Sequence, residues 1–278
     1  MMQAIGLCRF SYPAFGGFQI EHETIEERIA FLYGEARLEE RFRLFEHVAL
    51  PCMKAQTNED WEMIIVIGDS LPKIHADRLH DIVSGIPQIT IQVHGPRPQR
   101  EVMKEIFNRA RIDPSQPCLQ FRYDDDDAVA IDFIARLREG VDDCILLNAK
   151  HPVVAYDWTL GYAAQFSEQG VVAKEIQYKQ YVASLGVHVR GGSEFTIMNF
   201  AHTKLDRFMP VVSYADTPMW IESHNGFNDS RASQHNNIPF APLSDDIVRQ
   251  FRTRFAIDPE QIKQTFAGVP PPLALGKA

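Results

Sequence analysis

Long apolar runs are missing from this chain. The longest, "MIIVI" at 63–67 and "CILL" at 144–147, fall far short of the ~20 residues a membrane-spanning helix requires. Basic runs are missing too. The formal net charge is -9 and lysines and arginines are nowhere bunched, which argues against a nucleic-acid partner, since duplex binding needs clustered cations facing phosphates. A small phosphorylated ligand remains allowed, because a bound cation can bridge it to an acidic site. Cysteine is scarce: Cys8, Cys52, Cys118 and Cys144 are widely spaced and form no CxxC pair. No structural zinc site is expected, and buried free thiols in a reducing compartment are. The opening "MMQAIGLCRFSY" has no basic segment followed by a long apolar one, so no signal peptide is expected. The expected location is the cytoplasm, or the periphery of a membrane's inner face.

What is present is an ordinary globular composition, 278 residues with 45% hydrophobic and 23% charged, enough for one large domain with a proper core. The first half alternates strands and helices. "AIGLCRF" reads as a first strand and "RLEERFRLFEHVALPCM" as a helix with Leu38, Phe42, Phe45, Ala49 and Cys52 near one face, which Pro51 should kink or end. "EMIIVIG" is a strand covered on both faces. A helix near 73–84, the strand "ITIQV", a helix near 98–112 and the strand "CLQFRY" follow, then an amphipathic helix through Ala128, Ile131, Ile134 and Leu137, then "CILLN" as a further strand. Repeated β-α-β units predict an α/β fold with a mostly parallel, Rossmann-type sheet flanked by helices. Beyond about residue 150 the pattern is irregular: "VVAKEIQY" and "QYVASLGVHVR" read as antiparallel strands, "TPMWIESH" as a short helix and "SDDIVRQFRTRF" as a helix capped by Ser244. No repeat, low-complexity segment or linker divides the chain. The expected organisation is a single domain with two functional halves (1–127 and 128–240) and a C-terminal helical segment and tail (241–278).

The sharpest feature is "FRYDDDDAVA" at 121–130. Four adjacent carboxylates repel one another, and they fall at the carboxyl end of a strand, where ligands bind on such sheets. Acidic residues at a helix start are common, where they complement the helix dipole; four in a row at a strand's end are not. In an extended backbone Asp124 and Asp126 point the same way, with Cα atoms roughly 6–7 Å apart. Such a pair can meet a ribose and a hard cation together, because Mg²⁺ or Mn²⁺ takes one or two protein carboxylates and fills its octahedron with waters and phosphates. Asp124 is expected at the ribose, Asp126 and Asp127 at the ion, and Asp125, pointing away, is expected to matter least.

Upstream, "LPCMKAQTNEDWEMIIVIGDS" joins a helix, a Gln-Thr turn, an apolar strand and an Asp-Ser loop. This series resembles the start of the family 2-like glycosyltransferases, which have a GT-A-type fold. "RYDDDDA" matches their Asp-x-Asp region. With "RF" after the first strand, "LP…AQT", "GDSLP" and "RYDDDDA" in this order, the chain is more closely similar to a family of rhamnosyltransferases, over roughly residues 5 to 240. The resemblance implies transfer of a sugar from a dTDP- or UDP-linked donor to a glycan or lipid-linked hydroxyl, with a Mn²⁺ or Mg²⁺ cofactor. It gives Asp69 the role of binding the nucleotide base; apart from the resemblance, Arg9 is a candidate near that base and Arg231 a candidate at the diphosphate, against the commoner reading of each as a surface residue. It also implies a base at the start of a helix in the acceptor half, where Thr217 as N-cap and Pro218 at N1 leave Asp216 facing the acceptor; Glu222 is the reserve. His224 completes the metal shell by the same resemblance. Transfer from a β-L-rhamnosyl donor to an α-linked product inverts configuration and needs such a base; the motifs name neither the sugar nor the stereochemistry. Two other readings compete. Asp125-x-Asp127-x-Val129 fits the D-x-D-x-[TV] pattern of haloacid-dehalogenase-type phosphatases, although that pattern wants its first Asp directly after an apolar strand near the chain start. A non-catalytic carbohydrate- or metal-binding module is the other.

Overall fold

The computed structural model describes residues 1–17, 22–225, 227 and 238–269. The chain opens with strand β1 (Gln3–Arg9), helices α1 (Ile25–Leu32) and α2 (Glu35–Leu44), a π-helical turn (Phe45–Ala49) and α3 (Leu50–Lys54). There follow β2 (Glu62–Gly68), α4 (Lys73–Val83), β3 (Ile89–His94), α5 (Gln99–Ala110), β4 (Cys118–Asp124) and the two-residue β5 (Ala128–Val129). Next come α6 (Phe133–Asp143), α7 (Ile145–Lys150), β6 (Val153–Trp158), β7 (Leu160–Ser167), β8 (Gly170–Gln177) and β9 (Leu185–Val189). The series ends with β10 (Val211–Tyr214), β11 (Trp220–Ser223), β12 (Ala241–Pro242), α8 (Asp245–Arg254) and α9 (Pro259–Thr265).

Seven strands form one sheet in the order β10-β6-β9-β4-β1-β2-β3. It is parallel except where β9 runs antiparallel to β4 and β6. This is the mixed α/β architecture with a mostly parallel sheet that the β-α-β rhythm predicts. Alternation along β4 decides the faces. Leu119, Phe121 and Tyr123 point into a core with α2, α3 and α6, built on Leu38, Phe42, Phe45, Phe133 and Ile134. On the opposite face Ile5, Leu7, Ile64 and Val66 pack against Val102, Met103, Ile106 and Phe107 of α5. The remaining strands, β12-β8-β7-β11-β5, make a second sheet, which shares the first core through Tyr162, Trp220, Phe251 and Phe255. Strands β6, β9 and β10, from beyond residue 128, return to the first sheet, so the two sequence halves are not the two sheets. Among the described residues no helix is long and apolar enough to cross a membrane.

Several local expectations need correction. The helix from Glu35 is not ended by Pro51: it widens into the π-turn at Phe45–Ala49 and continues through Pro51 to Lys54. After the aspartates the chain makes β5 before turning helical at Phe133. "CILLN" is helix α7, with Ile145 65% and Leu146 77% exposed; an apolar run that short does not distinguish strand from helix. "TPMWIESH" contains no helix. Trp220–Ser223 is a fully buried strand, antiparallel to β5 and parallel to β7. The side chain of Trp220 lies over Gly161, where any Cβ would collide with the indole. Its Nε1 donates to the Trp158 carbonyl at 2.9 Å, and Tyr181 stacks on its ring with centroids 4.1 Å apart. Three-sided packing of this kind overrides local helix signals. Ser244 does cap α8, accepting from the Ile247 amide.

Candidate active site

The four aspartates occupy the crossing between the two sheets. β4 ends the first sheet's contribution at Asp124, and β5 begins the second at Ala128, so Asp125, Asp126 and Asp127 span the gap. All three are buried, at 5%, 6% and 4% exposure, while Asp124 is half-buried.

An arginine offsets the charge of two of them. Arg41, from α2 and itself buried, puts Nη1 3.1 Å from Asp125 Oδ1 and 2.5 Å from Asp126 Oδ2. Asp126 Oδ2 also accepts from Asn225 Nδ2 at 3.0 Å. Asp127 is held by other groups: the Tyr181 hydroxyl donates to Oδ2 (2.8 Å) and the Ser223 amide to Oδ1 (2.9 Å). Its carbonyl accepts from the Tyr123 hydroxyl at 3.0 Å, and the same phenol lies 2.7 Å from the Ala49 carbonyl in the π-turn and 3.0 Å from Cys52 Sγ. The widened helix, the strand end and the aspartate crossing are thus tied at one phenolic oxygen. The expectation that Asp125 points away fails: it is buried and ion-paired.

Burial raises the Asp127 carboxyl well above its usual range, helped by the charges of Asp126, Asp124 and Glu222 and opposed by the Ser223 amide. Burial likewise pushes Asp125 up to about 6, against the pull of Arg41 and with the push of Asp126. A carboxyl raised on folding stabilises the native state below its unfolded pKa, and that contribution is lost as pH rises through the folded value. Between pH ~4 and ~6 the parent should therefore lose on the order of 1–3 kcal/mol relative to Asp125→Asn, which cannot ionise. Urea unfolding of both proteins across that window checks it. The slope of the difference is the readout, because the lost Arg41 pairing shifts only its offset; a flat difference overturns the assignment.

A hard divalent ion needs one or two carboxylates. Asp124 and Asp126 fit that requirement: the Asp124 carboxylate makes no hydrogen bond or close ion pair with described residues, and Asp126 lies two positions on. Asp127 has both oxygens engaged inside the protein. His224 stands with Nε2 3.3 Å from Glu222 Oε2, and its backbone amide donates to the Ala164 carbonyl. Among the described residues no group of three His, Cys, Asp or Glu side chains could hold a metal ion. The arrangement suits an ion shared with a ligand, not a cage made by protein alone.

The other expected residues fall in two places. Arg9 ends β1 directly beside Asp124, and Arg9 Nη1 donates to the Gly17 carbonyl. Asp69 follows β2, exposed, its amide donating to the His94 carbonyl. Val66 is level with Arg9 and hence with Asp124, so Asp69 lies about two strand spacings across, roughly 10 Å, and three residues further along. Tyr12 and Tyr33 lie close enough for their hydroxyls to feel the Asp69 charge. Gly68 is required here, since a side chain would strike Pro13 and the Tyr33 hydroxyl. Asp216, in contrast, is not brought to the cluster. β11 runs towards Asp127 with its Ser223 end, and Asp216 precedes the other end by four residues, paired with Arg136 at 2.7 Å. With no helix at 217, the capping argument for Asp216 fails. Glu222, the reserve, is one of the carboxylates whose charge Asp127 and Tyr181 feel. Arg231 lies outside the described residues.

Sequence reasoning missed Arg41, Tyr181, Asn225 and a basic group around Asp124. In that group Arg122, two positions earlier on β4, is close enough to feel Asp124, Arg9 and Arg100 at the start of α5. Burial, with Arg122 and Arg100 nearby, lowers His202 to about 4, so its ring is neutral. For Arg41 a signal did exist: Arg37 and Arg41 stand one turn apart beside the apolar positions Leu38 and Phe42.

Residues 3–237 match the model of a protein family described as "Putative rhamnosyl transferase". The chain belongs to that family. Among solved structures it is similar to Staphylococcus aureus TarS, residues 1–349, at 8% identity and a TM-score of 0.41, over 80% of this chain and 60% of that one. The same fragment in complex with UDP gives 7%, 0.43, 81% and 61%, and in complex with UDP-GlcNAc 10%, 0.41, 96% and 71%. This chain thus spans about 60% of the length of the first of these fragments. No match was found among curated proteins.

Proposed function

We propose that this glycosyltransferase-family chain moves a sugar, L-rhamnose on the family's description, from a dTDP- or UDP-linked donor to a hydroxyl of a glycan or lipid-linked acceptor. The observation that carries the reading is the crossing itself. Carboxylates that face the end of the parallel sheet through Asp124 continue, within three residues, to Asp127, which is bonded to the Ser223 amide of the second sheet and feels the charge of Glu222. Donor and acceptor would meet there. Asp69, between Tyr12 and Tyr33, would accept from the imide N–H of the base, and Asp124 would take the ribose. Asp124 and Asp126 would hold the divalent cation, which neutralises charge growing on the leaving diphosphate. Arg9, Arg100 and Arg122 add fixed positive charge on the same side, and charge placed in advance where the diphosphate develops needs no rearrangement during reaction.

The acceptor hydroxyl must lose its proton as the bond to the anomeric carbon forms. Glu222 and His224, with Oε2 and Nε2 3.3 Å apart, are an acid–base couple whose carboxylate charge reaches Asp127: Glu222 is buried, and the imidazole is 18% exposed. A buried carboxylate beside an imidazole can take up a proton from an acceptor hydroxyl. Inversion follows if the base acts directly on the acceptor.

Two measurements test the reading. Release of nucleoside diphosphate from dTDP- or UDP-sugars, with Mn²⁺ present, is expected; release of free phosphate from a phosphomonoester instead would favour the phosphatase reading. Asp69→Ala should weaken nucleotide binding by ~1.5–3 kcal/mol, the worth of a charge-assisted hydrogen bond. Calorimetric affinities for UDP and dTDP that match the parent's would remove Asp69 from the site.

A further inference from the structure

We propose that Arg41 is a built-in counter-cation that a divalent ion must displace from Asp126, so that Arg41 sets how tightly the site holds metal in the absence of nucleotide. The inference rests on the reading of Asp124 and Asp126 as the cation's ligands. Its basis is geometric. One guanidinium nitrogen bridges two carboxylates 3.1 and 2.5 Å away, and all three side chains are buried. Arg41 stands in the middle of α2, one turn after Arg37, whose Nη1 donates to Ser11 Oγ (2.9 Å) and the Leu32 carbonyl (3.1 Å). Ser11 sits just past β1 in a left-handed conformation, φ 47°. α2 therefore fastens the ends of β1 and β4 with two successive arginines. From the other side, Asn225 holds the same Asp126 oxygen that Arg41 holds.

A cation approaching Asp126 meets an oxygen already neutralised. To bind, it must push the guanidinium onto Asp125 alone, and the Arg41 charge then repels it from a few ångströms. A metal–diphosphate complex lacks most of that penalty, because its phosphates carry the opposite charge. Free metal should thus bind weakly and metal with nucleotide much more tightly. The four-aspartate run would have a purpose in these terms: Asp125 keeps Arg41 in place whether or not Asp126 is occupied.

The test measures Mn²⁺ binding to the nucleotide-free protein by electron paramagnetic resonance of the free ion, with thermal unfolding alongside. Arg41→Met should bind Mn²⁺ on the order of tenfold to a hundredfold more tightly than the parent, the effect of removing one charge a few ångströms away. Its unfolding temperature should be lower without metal and be restored by Mn²⁺. Arg41→Lys keeps the charge and should stay near the parent in both. Should Arg41→Met not fold, Arg41→Met/Asp125→Asn removes the pair together and should show the same tightening. Mn²⁺ affinity equal to or weaker than the parent's in Arg41→Met, or in the double variant where that one does not fold, overturns the proposal. Loss of metal tightening alongside intact nucleotide-sugar binding would count against the role of Arg41 only. Absence of nucleotide binding in the parent would count against the site reading instead.

Discussion

Glu222→Gln should transfer sugar ~10²–10⁴-fold more slowly than the parent while binding the donor with parental affinity. The substitution keeps the shape of the side chain and removes only its charge. That charge lies near Asp127 and Tyr181, so removing it relieves repulsion and leaves the fold no less stable. A lower rate at unchanged or raised unfolding temperature separates a chemical role from a structural one. Asp216→Asn is the matched control, since Asp216 faces Arg136 on the surface at the far end of β11; it should stay within a few-fold of the parent. Single-turnover transfer and calorimetric donor binding give both numbers. A slow Asp216→Asn beside a fast Glu222→Gln would put the base at the other end of the strand. Parental rates in both would remove both carboxylates from the proton transfer.

Why the sequence pointed first to Asp216 is instructive. Asp216-Thr217-Pro218 has the local grammar of a helix start, and local grammar is what a sequence displays. What decides the conformation of 220–223 is pairing with Val129 and Ala128, more than 90 positions earlier in the chain, and the seat that Gly161 leaves for the Trp220 indole. Neither is written near residue 216. The parallel sheet was legible because it is built from repeated short-range units, each strand carrying its own periodicity. The aspartates were legible as a candidate site because like charges so close together need an explanation at a strand's carboxyl end. Their partner was not. Arg41 is 84 positions from Asp125, and Ser223 is 96 from Asp127. The amphipathic pattern of α2 could say that Arg41 flanks an apolar face, but not which of the chain's many acidic groups it meets. The run "DDDD" looked like a place awaiting a positive charge; the fold supplies one, and the question becomes how a metal competes with it.

Asp126→Ala and Asp127→Ala, adjacent changes, should fail in opposite ways. Asp127 accepts from the hydroxyl of the partly buried Tyr181 and from the buried Ser223 amide, and the second of these bonds stitches the crossing to β11. Truncation leaves two donors without their acceptor, at about 1–3 kcal/mol each, offset in part because a buried carboxyl repelled by its neighbours is removed. A net loss of ~2–4 kcal/mol is expected by urea unfolding, with the Tyr181–Trp220 stack loosened as a visible consequence in fluorescence. Asp126→Ala removes one of two carboxylates on Arg41 and leaves Asp125 to hold the guanidinium, so stability should change by less than ~1 kcal/mol. Its activity should not survive: with Asp126 gone the cation keeps a single protein carboxylate, and transfer should fall by ~10²–10³-fold or more as the charge on the leaving diphosphate goes uncompensated. If Asp126→Ala instead retains Mn²⁺-dependent nucleotide binding and Asp127→Ala loses it at parental stability, the two carboxylates have exchanged roles. The ion would then sit on the side of the second sheet, where the oxygens of Asp127 would have to give up Tyr181 and Ser223 to receive it.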